Sequence, residues 1–154
     1  MTQTELNEFK VIGISVRTTN QNGQAQTDIG GLLEKFMGQN LIEKIPNKEN
    51  HDIYCIYTDY ESDFKGRYTT ILGCKVTSLD NIPNGFIGKT IPTTKYLHYK
   101  SEGRLPECLV ATWETIWQSG IERKYIADFD IYGQDSQNPE NAKVDTFVSV
   151  KSIM

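Results

Sequence analysis

Apolar residues along this 154-residue chain switch between two spacings, and the switches mark its elements. Phe9 to Thr19 reads FKVIGISVRTT, rich in β-branched residues and alternating, which predicts a strand. Asn20 to Gln26 is polar and contains Gly23, a loop. Ile29, Leu32, Leu33, Phe36 and Met37 then fall at i, i+3, i+4, i+7 and i+8, one apolar stripe on a helix. Thr27 or Asp28 is the expected cap, and the helix should end before Pro46. Ile53 to Tyr60 and Tyr68 to Leu79 read as strands, separated by a polar turn from Glu61 to Arg67 and followed by another from Asp80 to Gly85.

The same order then recurs. Phe86 to Lys100 is extended, broken near Pro92, and Gly103 ends it. Pro106 suits the first turn of a helix whose stripe is Leu109, Trp113, Ile116 and Trp117, with Val110 beside it and Gly120 as the stop. Tyr125 to Gly133 is a strand, Gln134 to Ala142 a loop, and Val144 to Ser152 the last strand. Each half thus reads β-α-β-β, with repeat one over about 9–80 and repeat two over about 85–152 of a single domain, 1–154. Tyr54-Cys55-Ile56-Tyr57 matches Phe129-Asp130-Ile131-Tyr132 between the halves. The expected fold class is α+β: duplicated β-α-β-β units, two main helices, pseudo-twofold symmetry and a groove between the units, where ligands often bind.

Composition narrows the function. Hydrophobic residues at 38% and charged residues at 23% describe a globular protein with a core. A net charge of −4, with Arg123-Lys124 the longest basic cluster, speaks against direct nucleic-acid binding. Cys55, Cys74 and Cys108 are an odd, unpaired set, so no disulfide framework is expected. The N-terminus lacks the basic and apolar stretches of a leader and no window is long enough to span a membrane, so a cytoplasmic location is expected. Gly88-Lys89-Thr90 imitates a phosphate loop, but Pro83 stands where its first glycine is required. Neither His51 nor His98 has zinc-ligand spacing, and no metal or cofactor is expected. Eight Tyr, six Phe and two Trp suit a surface that contacts ligands, although strands also attract Tyr.

Strand alternation puts Asp128, Asp130 and Tyr132 on one face and Phe129 and Ile131 on the other. Phe129 and Ile131 are expected against a helix, leaving a carboxylate beside a Tyr on the open face. By the repeat match, Cys55 and Tyr57 take the equivalent places in the first unit. Around Asp130 the groove would gather Tyr57, Tyr68, Tyr125, Tyr132, Trp113 and Trp117, and rings with one carboxylate can hold a desolvated cation. The bland alternatives are an Asp130 that is exposed or paired with Arg123 or Lys124, and a Trp113–Trp117 pair that belongs to the core. Glu61 and Asp63 read as a solvated hairpin, and Cys108 as a small buried residue.

Several of these pieces resemble the GyrI-like, or bacterial-activator effector-binding, domains found in some AraC-type and MerR-type transcription regulators and as stand-alone proteins. The resemblance lies in Tyr57 to Asp63 (YTDYESD), Tyr68-Thr69, Ile82-Pro83-Asn84-Gly85, the Trp113…Ile116-Trp117 helix, and Arg123-Lys124-Tyr125…Asp128-Phe129-Asp130-Ile131-Tyr132. The spacing is most similar to the integron-cassette branch. The resemblance implies duplicated SH2-like repeats, antiparallel sheets, a central groove, and multidrug-type recognition of cationic, aromatic molecules by a bacterial protein. It implies an acidic residue at Asp130, where the family usually has Glu. Drug sensing or sequestration without a DNA-binding segment is the leading expectation, with a homodimer or a regulatory protein as further partners. The alternatives are a hydrolase of electrophilic compounds using Asp130 as its base, and an inhibitor or partner of a larger protein.

Overall fold

The computed structural model describes residues 2–151. Its strands are β1 (Thr2–Leu6), β2 (Phe9–Thr19), β3 (Ile53–Thr58), β4 (Arg67–Val76), β5 (Ile87–Ile91), β6 (Thr94–Gly103), β7 (Arg123–Tyr132) and β8 (Ala142–Val150). The helices are α1 (Gln24–Gly38), after β2, and α2 (Glu107–Gln118), after β6. All eight strands form one antiparallel sheet in the order β1-β6-β8-β7-β3-β4-β2-β5. Once β2, β3 and β4 are matched with β6, β7 and β8, that order reads the same from either end. The two halves therefore meet along β3 and β7, as an approximate twofold axis requires. The α+β fold of two β-α-β-β units is the one expected from the sequence.

Most strands lie within a few residues of their expected bounds, and the break between β5 and β6 falls at Pro92–Thr93. The last residue predicted for β8, Ser152, lies outside the described residues. Two differences have clear causes. Helix α1 begins at Gln24, with Gly23 as its cap in the left-handed region at φ 70° and no side-chain cap bond. Thr27 and Asp28 are inside the helix, and Asp28 accepts a hydrogen bond from Gln24 Nε2 at 3.1 Å instead of capping. Strand β1 was not foreseen, because TQTEL has no apolar face and is largely exposed. It is a strand because the edge of β6 offers it a backbone ladder, from Thr2 opposite His98 to Leu6 opposite Thr94.

The sheet buries both of its faces. On one, Ile12, Ile14, Cys55, Leu72 and Cys74 pack with Leu32 and Phe36 of α1. Full burial of each of those two helix side chains contributes about 2 kcal/mol. On the other, the sheet curls on itself: Phe9 of β2 reaches Phe129 of β7 with ring centroids 5.3 Å apart, although β4 and β3 lie between their strands. Val11, Tyr54, Ile56, Ile71 and Tyr96 complete that second core. Phe129 and Ile131 therefore point into the curl and away from the helices, the reverse of the expected facing. The helices cover the Cys55–Asp130 face instead. Among the described residues no helix is long and apolar enough to cross a membrane.

Gly13 and Gly73 sit directly opposite each other on β2 and β4. A Cβ on Gly13 would collide with the Leu72 carbonyl, and one on Gly73 with the Ile12 carbonyl. Gly73→Ala is therefore expected to destabilise the protein by about 2–3 kcal/mol, seen as a lower urea midpoint, whereas Gly30→Ala on open helix surface should stabilise it slightly.

Candidate functional site

Pairing of β3 with β7 sets Cys55 opposite Asp130 and Tyr57 opposite Asp128. Beside this seam a cavity of about 1050 Å³ opens between the two helices. Its walls are Ile29, Leu32, Leu33, Phe36 and Met37 of α1, Leu109 of α2 with Leu105 and Pro106 before it, and Ile53, Cys55, Tyr57, Thr70, Leu72 and Tyr132 of the sheet. Leu33 and Met37 are 47% and 60% exposed while lining it, so two of the five residues of the α1 apolar stripe are left largely uncovered. A polar rim at one end comprises Asn40, His51, Asp52, Gln134, Ser136 and Gln137.

Asp130 is completely buried immediately behind this wall. Tyr57 Oη donates to its Oδ2 at 2.9 Å, Trp113 Nε1 donates to Oδ1 at 3.2 Å, and the Thr146 hydroxyl donates to Oδ1. The Cys55 thiol in turn donates to Tyr57 Oη at 3.4 Å. No cation lies within ion-pair reach of Asp130 among the described residues. Burial therefore pushes its pKa from the ordinary 3.8 up to about 6, against the pull of the Thr146, Tyr57 and Trp113 hydrogen bonds, and the nearby Asp128 adds to the rise. Burial also holds the Tyr57 phenol well above its ordinary pKa and pushes the Cys55 thiol to about 12, with the Asp130 charge adding to both. Both groups stay neutral donors, and Cys55 is no nucleophile here.

Two residues earlier on the same face, Asp128 is equally buried but compensated. Arg123 Nη2 binds its Oδ2 at 2.6 Å, Tyr60 donates to the same oxygen, and the Ser149 amide donates to Oδ1 at 2.8 Å. A register shift between Arg123 and Asp128, with Tyr125 in the left-handed region at φ 57°, folds the start of β7 back so that Arg123 meets Asp128. The Arg123 guanidinium lies 4.5 Å from the Tyr125 ring centroid and 5.7 Å from that of Trp113. Thus Arg123 pairs with Asp128, and Asp130 is neither exposed nor paired.

Of the residues expected to gather at the site, Cys55, Tyr57 and Tyr132 line the cavity and Trp113 holds Asp130 from the side. Tyr68 packs edge-on behind Tyr57 at 6.1 Å and donates to Asn20. Tyr125 belongs to the Arg123 cluster and packs edge-on against Tyr60. Trp117 is 46% exposed, 6.2 Å from Trp113, and forms neither core nor cavity wall. Cys108 is partly exposed where a buried residue was expected. Sequence reasoning missed Thr146 and Tyr60, which reach the carboxylates only through tertiary pairing, and the α1 wall, whose stripe marked a helix without marking a cavity. Among the described residues no group of three or more His, Cys, Asp or Glu could hold a metal ion.

A family of integron-associated effector binding proteins, Cass2, matches residues 3–150. The chain belongs to the Cass2 family. Its partner, as an effector-binding protein, is a small molecule. A Bacillus subtilis (strain 168) protein named "Putative transcriptional regulator protein YobU" is 26% identical over 153 residues, covering 96% of each chain. The Vibrio cholerae integron cassette protein VCH_CASS2 is 29% identical, with a TM-score of 0.75 over 97% of this chain and 95% of that one. SAV2435, solved bound to tetraphenylphosphonium, shares the fold at a TM-score of 0.82 and 17% identity, over 98% of this chain and 93% of that one.

The unpaired buried carboxylate has a measurable signature. Because the folded protein holds the Asp130 proton more tightly than the unfolded chain does, Asp130 favours folding below about pH 4 and loses that contribution as the pH rises to about 6. At pH 7 its ionisation costs the folded state about 3 kcal/mol. Asp130→Asn should therefore gain stability relative to the native protein as pH rises through this window, measured as the difference in urea midpoints between pH 4 and pH 7.

Proposed function

We propose that this protein binds a hydrophobic, aromatic cation in the cavity between α1 and α2, with Asp130 as its counter-charge. The observation that carries this reading is a fully buried carboxylate served by neutral donors, without a cation of its own, behind the wall of a large apolar cavity. Keeping it ionised is costly, and a bound cation would repay that cost by drawing the pKa back down. Tyr57, which lines the cavity, and Trp113, beside it, are both hydrogen-bonded to Asp130, and the Tyr57 ring offers a cation a π-face worth about 0.5–2 kcal/mol. A cation in direct contact with the carboxylate would displace one of them. SAV2435 bound to tetraphenylphosphonium supports the same ligand class on this fold.

Binding of this kind serves either sequestration of a toxic compound or sensing, the latter with a second copy or a regulatory protein as partner. Asp130 as the base of a hydrolase finds less support, since three side-chain donors already occupy its oxygens and it has no exposed surface.

Thermal-shift titration with tetraphenylphosphonium tests the reading. A hundredfold excess over Kd should stabilise the protein by about 2.7 kcal/mol. Affinity should be steady above about pH 6 and fall by up to about tenfold per pH unit below it, because the cation favours the ionised carboxylate. Asp130→Asn should weaken binding roughly tenfold or more, and an unchanged affinity in that variant would sink the electrostatic part of the proposal.

A further inference from the structure

We infer that Asp52 forms a second cationic subsite in the same cavity, so that the protein prefers an elongated dication to a monocation of the same shape. The inference rests on the cavity being a cation site, as proposed above. Asp52 precedes β3 and lines the polar rim of the cavity. Its amide donates to Asn50 Oδ1 at 2.9 Å, which fixes the turn, while its carboxylate takes part in no hydrogen bond or ion pair among the described residues.

The end of β7 makes room for it. A Cβ on Gly133 would come within 3.1 Å of Asp52 Oδ1, so the carboxylate stands over bare backbone where any other residue would crowd it. Among the residues lining the cavity Asp52 is the one carboxylate and His51 the one basic side chain, with Gln134, Ser136 and Gln137 uncharged, so Asp52 supplies the negative charge at that end. Cys55, opposite Asp130, is three residues further along β3. At the rise of an extended strand, about 3.3 Å per residue, the backbone positions of Asp52 and Cys55 are about 10 Å apart. Between them the wall is apolar, with Ile53 and Leu72 on the sheet and Leu105 and Leu109 facing them. A ligand with a cationic aromatic head, an apolar spacer and a second cation about 10 Å away matches both ends and the middle.

Asp130 is sealed from water and Asp52 is partly exposed, so the second charge adds less than the first. About a fivefold gain in affinity is expected from it, at the upper end for a partly hydrated pair.

The test compares two quinolinium ligands by calorimetry at mildly alkaline pH. One carries a hexyl chain ending in trimethylammonium, the other the same chain ending in tert-butyl, which has the same shape without the charge. The dication should bind the native protein about fivefold more tightly than the monocation. Asp52→Asn should abolish that advantage, bringing dication and monocation to equal affinity, and Asp52→Glu should retain most of it. Equal affinities in the native protein, or an advantage that survives Asp52→Asn, overturns the inference while leaving the monocation site intact. A monocation that fails to bind the native protein overturns the cation-site reading, and this inference with it.

Discussion

The antiparallel pairing of β3 with β7 is the contact on which the rest of this structure depends. It joins two four-stranded halves into one sheet, and the approximate twofold axis passes between Cys55 and Asp130, which face each other across it. Because side chains alternate along each strand, this register alone decides that Cys55, Tyr57, Asp130 and Tyr132 share one face. A slip of one residue would send Asp130 into the aromatic core and bring Phe129 up under the helices. The same pairing spaces α1 and α2 apart on that face, leaving the sheet between them as the floor of a cavity.

The two halves are alike in framework and unlike in chemistry. Where one carries Cys55, the other carries Asp130, so a near-symmetric cavity receives a single buried charge on one side of the axis. The neighbouring Asp128 shows what a structural carboxylate looks like here. A bulge at Tyr125, held in a conformation that side chains rarely adopt, bends β7 so that Arg123 and the Ser149 amide satisfy it. Asp130 receives no such compensation, and its stability cost is the kind that proteins retain at binding sites. The apolar side chains of α1 make a parallel point in hydrophobic terms, since Leu33 and Met37 line the cavity and remain about half exposed there.

Cass2 membership establishes effector binding, and the geometry supplies a physical account of which effectors fit. An apolar cavity selects by shape only weakly, because dispersion and burial are non-directional. Charge placed away from water is far more selective, since an anion brought near Asp130 would meet an uncompensated carboxylate at low dielectric.

The sequence by itself determined the elements and their duplicated order. Each rests on local periodicity: the i, i+3, i+4 stripe of α1, the alternation of β2 and β7, and the match of Tyr54–Tyr57 with Phe129–Tyr132. What the sequence could not determine were properties of the assembled sheet. The strand β1 exists because β6 has an open edge, not because TQTEL favours extension. Which face of β7 meets the helices was decided by the curl that brings Phe9 onto Phe129, and alternation sorts side chains into two faces without saying which is which. The partner of Arg123 was decided by a bulge with no signature in composition, and Thr146 reached Asp130 from a neighbouring strand. Hydrophobic patterning is a one-dimensional signal with a range of a few residues, whereas burial, charge compensation and cavity shape depend on residues brought together from distant parts of the chain.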